Sequence, residues 1–501
     1  WLGRSPAPRS FCRRVIGADA KFRMRRPRML VAALASIGCV AASGLAREPC
    51  EVAAVGGGWS GVYFAYRYLT GSDVAARRIC LFEASERIGG RTYSKHIDVP
   101  FKGAVESYVI DVGAYRFSPD MHLPGDVILK HLKLPVACYE PDCEPAYKDF
   151  PSFKFNYTAP LMRIIDPVTR RPGGYVTALD AMVAEMEGKG ARVMRGMKLT
   201  DIFAATSGGA DLVFQDGSRV SAKTVLLNLP RTPLLALPGL RAGVTERTLR
   251  MLQCVKFDAP QDLFPGMKMG HSLTKAYAYY DDAWWLNALN QTEGQLPKNA
   301  FNPILTSEGI PIGIHFNDGP TICDAPQVGC RGWLEVYYAT RDQEFFDGLR
   351  SSDEEPSGVL NASSPGGPAR LAKLHAAVME ATAPLFRSKS LAPPATTPPR
   401  VLVVGVWSRE GRAYTAPTKV YYSTEMGDSM EKACNVSGLT QAEYRDTVLA
   451  PFGSQSRVHV ANNDWVAEEV GDFHGDWAEE SLLQAERALR TLGVARPEWL
   501  D

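Results

Sequence analysis

From Cys50 to Val55 the chain is almost wholly apolar, and the run stops at Gly56-Gly57-Gly58-Trp59-Ser60-Gly61 before the mixed segment VYFAYRYLT, which ends at Gly71. A short apolar run bounded by turn residues reads as a buried strand, and the segment behind it as a helix stopped by glycine. A second apolar stretch within RRICLFEASERIGGR completes a strand, glycine turn, helix, strand unit, the unit of a parallel sheet. Farther along, GGYVTALDAMVAEMEGKG carries apolar residues at helical spacing between Gly174 and Gly188, which predicts an amphipathic helix. ADLVFQDGSRVSAKTVLLNLP predicts a hairpin turning at Asp216-Gly217, whose second strand is buried and ends at Pro230. Residues 240 to 400 show less regular patterning, with SSDEEPSGVLNASSPGGP and LAPPATTPP read as loops from their Pro, Ser and Gly content. Regularity returns with RVLVVGVW, a strand, and WAEESLLQAERALRTLG, a closing helix that ends at Gly493. No repeat is visible.

Composition changes this picture at the N-terminus. Met24 opens a basic start, an apolar stretch from Met29 to about Ser43, and small residues Gly44 and Ala46 where a signal peptidase would need them. The pattern predicts a secretory leader over residues 1–46, too short in its apolar part to span a bilayer; the residues before Met24 begin without methionine and are rich in Arg. Removing residues 1–46 leaves 47 basic against 54 acidic residues, a net charge of −7, which disfavours nucleic acid and anionic membranes as partners. Eight cysteines remain, and in an oxidising compartment the close pairs Cys138/Cys143 and Cys323/Cys330 could each close a loop. Sequons at Asn156, Asn290, Asn361 and Asn435 fit a secreted glycoprotein, and no apolar tail follows the closing helix. The expected location is the secretory pathway, secreted or lumenal, with no membrane span in the mature chain and a homo-oligomer as one possible state.

The glycine turn carries the chemistry. Gly56-x-Gly58-x-x-Gly61 fits the dinucleotide fingerprint, in which the glycines permit a tight turn, close backbone approach to pyrophosphate, and helix–strand packing. Ser60 lies inside the turn, and Glu83 follows Gly61 by 22 residues, where a carboxylate can accept from a ribose diol. The continuation Gly89-Gly90-Arg91 adds a second close backbone approach and a cation near phosphate, which a simple nicotinamide domain does not require.

Together these segments resemble the FAD-binding region of the flavin amine oxidase family, which includes monoamine, polyamine and L-amino-acid oxidases. SLTKAYAYYDDAWW is similar to the family segment whose lysine holds a water at flavin N5, which would make Lys275 that residue. WSREGRAYT resembles the stretch beside the flavin ring, and GDWAEESLLQAERAL the last family motif. The resemblance spans most of residues 50 to 495, loosely in the middle. It implies that Tyr414 and Trp477 form two aromatic walls guiding an amine to the flavin, that Trp407 lies beside the ring, and that Asn463 or Asp464 contacts the ribityl chain. The link from Asp464 to Trp477 is longer than usual, which weakens that last assignment. Ala413 stands where monoamine oxidases carry the cysteine bonded to flavin, so the resemblance implies noncovalent FAD.

Substrate class turns on VIDVGAYRFSP. The family passes its backbone along the flavin at the positions of Gly113 and Ala114, and Gly113-Ala-Tyr-Arg116 matches the pattern in which L-amino-acid oxidases place a carboxylate-clamping arginine. A guanidinium can hold a carboxylate through two parallel hydrogen bonds, selecting amino acids over simple amines; the competing reading makes Arg116 a structural ion-pair partner. The implied architecture is α/β, with a Rossmann-like FAD-binding domain (50–118, 173–265 and 401–501) interleaved with an α+β substrate-binding domain (119–172 and 266–400). The implied reaction is hydride transfer from the amine-bearing carbon to flavin N5, giving imine, then 2-oxo acid, ammonia and hydrogen peroxide from O2. A monoamine or polyamine oxidase would instead place acidic or apolar residues around the pocket and leave Arg116 without a role. A secreted flavoprotein without turnover is the reading from another class. No nucleophile elbow stands out, and the eight histidines show no metal-ligand spacing, so no metal is expected.

Overall fold

The computed structural model describes residues 47–118, 121–139, 161–253, 273–298, 303–326, 328–339, 344–352, 355–394, 396–407, 431, 434–465 and 478–500. The leader, Cys143, Asn156, Ala413, Tyr414 and Trp477 lie outside them.

The first strand β1 (Cys50–Val55) leads through the glycine turn into α1 (Trp59–Gly71) and then β2 (Ile79–Phe82). A hairpin follows, β3 (Ser94–Phe101) and β4 (Ala104–Asp111), then α2 (Thr177–Gly188), β5 (Arg192–Met194), β6 (Leu199–Ala204), β7 (Ala210–Phe214) and β8 (Arg219–Leu227). The next portion contributes β9 (Leu273–Tyr280), β10 (Ile314–His315), β11 (Arg331–Ala339), β12 (Ser357–Asn361), α3 (Gly367–Ser388) and β13 (Val401–Trp407). The chain closes through α4 (Gln441–Leu449), β14 (Val458–Val460) and α5 (Ala478–Thr491).

Two sheets organise these elements. The first runs β5-β2-β1-β8-β7-β6, with β14 added in parallel to the C-terminal half of β8. Strands β5, β2, β1 and β8 are parallel, and β1 is covered on both faces: Val52 and Ala54 pack with α1 and α5, Ala53 and Val55 with the opposite core. Burial on both sides is why β1 reads as a continuous apolar run rather than an alternation. The predicted hairpin forms between β7 and β8, with Gly217 at positive φ in its turn. All three predicted helices also form, as α1, α2 and α5.

The second sheet is antiparallel among its named strands, in the order β10-β11-β9-β13-β12. It corrects one expectation. The portion from 240 to 400 is not irregular throughout: it holds most of this sheet and the 22-residue α3. Gly366-Gly367-Pro368 resembles a loop in composition, yet proline in the first helical turn sacrifices only an N–H that has no partner there. Leu371, Leu374, Val378 and Ala381 then recur at helical spacing and bury against the sheet. β13, from a segment grouped by sequence with the nucleotide-binding pieces, hydrogen-bonds between β9 and β12 in the second sheet.

Cys323 and Cys330 form the expected bridge, and a further disulfide, Cys50–Cys80, joins β1 to β2. Cys138 is also disulfide-bonded. Among the described residues no helix is long and apolar enough to cross a membrane.

His459 in β14 supplies a stability prediction. It is buried, and desolvation, aided by Arg457 and opposed by the Leu449 backbone, pushes its pKa down to about 4. A histidine kept neutral by the fold contributes stability above its unfolded value near 6.5, and that contribution is lost as pH falls through the folded value. Thermal melts should therefore lose about 3 kcal/mol of stability between pH 6.5 and 4 on this account. His459→Phe should flatten that slope; an unaltered slope in the variant would refute the assignment.

Candidate active site

The turn after β1 is built by contacts from three chain segments. Gly56 N–H donates to the Phe82 carbonyl (2.7 Å), Gly57 N–H to Glu83 Oε2 (2.7 Å), and Gly89 N–H to the Gly57 carbonyl (2.8 Å). Gly56 sits at φ +105°, and a Cβ on Gly61 would lie 2.0 Å from the Gly56 carbonyl oxygen. Only glycine permits that approach, which brings the N-terminus of α1 against the strand end. The helix begins without a side-chain cap, leaving its first N–H groups directed out of the turn, the arrangement that receives an anion.

Glu83 is buried at the end of β2, where Oε1 accepts from Ser85 N–H and Oγ (both 2.8 Å) while Oε2 holds Gly57. Two carboxylate oxygens offer about four acceptor sites, so capacity for a ribose hydroxyl remains. The cradle left by missing Cβ atoms, the uncapped helix and this carboxylate fit the adenosine and pyrophosphate portion of FAD. The Ser60 hydroxyl instead donates to the Ser481 carbonyl (2.8 Å), tying α1 to α5.

Arg91 gathers the third segment. Its guanidinium donates to Asp464 Oδ1 (2.6 Å), Asn462 Oδ1 (2.6 Å) and Asn463 Oδ1. The other oxygen of Asp464 accepts from Arg231 N–H (2.9 Å), so this fully buried carboxylate orders the loop after β14 as well as facing Arg91. Asn228, absent from the sequence reading, links the two halves: its Nδ2 donates to the Gly56 carbonyl and its Oδ1 accepts from Asn462. A lone asparagine before Pro230 carried no motif that could have announced it.

From Arg91 the chain leads to a second group of side chains. Ala114 N–H donates to the Arg91 carbonyl (3.0 Å), and Trp407 Nε1 at the end of β13 donates to the Val112 carbonyl (2.8 Å). Gly113 and Ala114 are thus held between the β3 approach and β13. Tyr115 follows, and on its ring two cations from distant segments meet: Lys275 Nζ lies 3.1 Å from the ring centroid, and Arg116 Cζ 4.6 Å. Arg116 also lies over Tyr139 (4.6 Å). Such cation–ring contacts are strongest when desolvated.

Lys275 is buried on β9, and its ammonium makes no hydrogen bond to a described residue. Burial pushes its pKa down to about 7, with Glu335 opposing, Arg116 assisting and Asp111 opposing. Burial, moderated by bonds from Ser94 and the Tyr175 backbone, raises Asp111 to about 6. Burial disfavours the Arg116 cation, but Tyr115, Asp318, Tyr338 and Glu335 outweigh it and hold its pKa above the usual value. Asp318 and Glu335 were missed from sequence. The available signal for Glu335 was a single acid in the apolar run RGWLEVYYA. Tyr414 and Trp477, the expected aromatic walls, fall outside the described residues, so the structure neither joins them to this group nor separates them from it.

A family model of NAD(P)-binding Rossmann-like domains matches residues 55–123, a span containing the turn, Glu83, Arg91, Gly113, Ala114 and Arg116. Among solved structures, wild-type putrescine oxidase bound to putrescine is similar over 90% of this chain and 100% of that one, at 15% identity and TM-score 0.51. A mutant from the redesign of cofactor binding in putrescine oxidase is similar over 89% and 99%, at 13% identity and TM-score 0.51. A search of curated proteins gave no match. The likeness is one of fold: an α/β molecule whose Rossmann-like nucleotide-binding part is interleaved with mixed sheets, as the sequence implied.

Proposed function

We propose that the protein is an FAD-dependent oxidase of primary amines, with L-amino acids as its substrate class and the cofactor held noncovalently. The observation that carries this reading is the meeting of Lys275 and Arg116 on Tyr115, directly after the Gly113–Ala114 passage. The Gly56–Gly61 turn and α1 would hold the pyrophosphate, Glu83 the ribose, and the Gly113–Ala114 backbone with Trp407 the ring end. Bound FAD supplies the electron acceptor for the amine-bearing carbon and passes the electrons to oxygen. Arg116 would orient the substrate carboxylate through paired hydrogen bonds. Lys275, with a pKa near 7, can hold or release a proton at Nζ near neutral pH. Hydrolysis of the imine product gives the 2-oxo acid and ammonia, with hydrogen peroxide from oxygen. The disulfides support the secretory-pathway location proposed from the leader.

One observation favours a second reading, oxidation of polyamines or other cationic amines: Asp318 and Glu335 are buried beside this pair and already act on Arg116. Spectra of the flavin under anaerobic conditions, with L-amino acids and then amines and polyamines, separate the two. Bleaching by L-amino acids, with recovery and peroxide on admitting air, is the expected result. Arg116→Met should lower kcat/KM for L-amino acids about hundredfold, the consequence of losing a charged paired contact, while sparing simple amines. Bleaching by polyamines alone would establish the second reading, and a yellow protein that nothing bleaches would sink both.

A further inference from the structure

His315, Asp318 and Glu335 come from β10, the turn after it, and β11. His315 and Glu335 are register partners across the two strands. The turn carrying Asp318 packs closely on β11, where a Cβ on the next residue, Gly319, would lie 1.9 Å from the Trp333 carbonyl oxygen. Potential ligand atoms of the three side chains all lie within 4.8 Å of one another, and all three side chains are buried.

The contacts within the group are not those of a closed hydrogen-bond network. His315 Nδ1 is 3.6 Å from Asp318 Oδ2 and 3.9 Å from Glu335 Oε2, beyond hydrogen-bond range in both cases. None of the four carboxylate oxygens, nor His315 Nε2, makes a hydrogen bond of good geometry to a described residue, although the Tyr115 and Tyr277 hydroxyls act on Asp318 and Glu335 at close range and the two acids act on each other. Two neighbouring carboxylates with no exposed surface require compensation by a proton or a cation. Arg116 and Lys275 act on the group electrostatically without hydrogen-bonding either acid. The separations are compatible with a shared ion: atoms 3.6 and 3.9 Å apart subtend roughly 115° and 130° at a zinc ion about 2.1–2.2 Å from each. One imidazole and two carboxylates form a donor set appropriate to such an ion.

We propose that His315, Asp318 and Glu335 bind one divalent first-row cation, with zinc the ion their donor set and spacing suit. The site is independent of the amine-oxidase reading, although an ion there would remove both acids as anchors for a substrate ammonium.

Purified flavin-containing protein, treated with chelator, would be dialysed to equilibrium against zinc chloride and its zinc and flavin content measured. The expected result is one zinc per chain in wild type and in His96→Ala, which alters an exposed histidine outside the group. His315→Ala and Asp318→Asn should weaken zinc retention at least about tenfold, the least that loss of even a ligand's outer partner costs, while retaining flavin absorbance and the thermal transition. Wild type that takes up no zinc overturns the proposal without reference to any variant, and leaves a shared proton as the compensation. Equal uptake by wild type and both ligand variants overturns it as well. Amine turnover is read separately, so failure of the oxidase reading would leave the zinc count unaffected.

Discussion

Lys275→Met is expected to slow reoxidation of the reduced flavin by oxygen about hundredfold, the lower end of what a positioned proton-transfer group contributes, while leaving FAD content near that of wild type. The side chain is buried against Tyr115, and no described residue bonds its ammonium, so its removal strips no hydrogen-bond partner from the surrounding protein. Methionine fills similar volume without the charge. None of the contacts at the Gly56–Gly61 turn or Glu83 involves β9, which is why cofactor retention should survive. The measurement is stopped-flow mixing of the anaerobically reduced protein with oxygenated buffer, alongside the flavin-to-protein absorbance ratio. An unchanged oxygen rate would remove Lys275 from the mechanism.

Gly61→Val should have the opposite signature, loss of flavin before any question of turnover arises. Even the first side-chain carbon would lie 2.0 Å from the Gly56 carbonyl oxygen, and Gly56 itself is fixed by its bond to Phe82 and the bond it accepts from Asn228. Relief requires α1 to withdraw from β1, moving the N–H groups that face the pyrophosphate position. Overpacking of this kind costs about 3 kcal/mol, which converts to about a hundredfold weaker FAD binding. Flavin titration of the variant checks this, with circular dichroism reporting whether the sheet persists. Retention of wild-type affinity would show that the turn does not hold the cofactor.

How much was legible beforehand follows from where the information resides. The β1 turn, α1 and β2 were readable because their signals are local: an apolar run, glycines at fixed offsets, and an acid at the next strand end. Arg91 was also selected from its neighbours, but its bonds to Asn462, Asn463 and Asp464 are not local, since more than 370 residues separate the partners. The helix α3 was missed because a Gly-Pro start has the composition of a loop, and only packing against the second sheet distinguishes the two.

The amino-acid order by itself determined the nucleotide-binding unit, since a glycine turn and a doubly buried strand are dictated by backbone sterics and the avoidance of water. It also offered Lys275 and Arg116 as separate candidates. Their meeting on Tyr115 was decided by tertiary structure alone, because β9 reaches that ring only through its pairing in the second sheet. The neighbouring pairing of β10 with β11 sets Glu335 opposite His315, and the turn after β10 brings Asp318 beside them. Burial then decides their electrostatics: groups that would be ordinary surface charges in an extended chain lose water together and become coupled at close range.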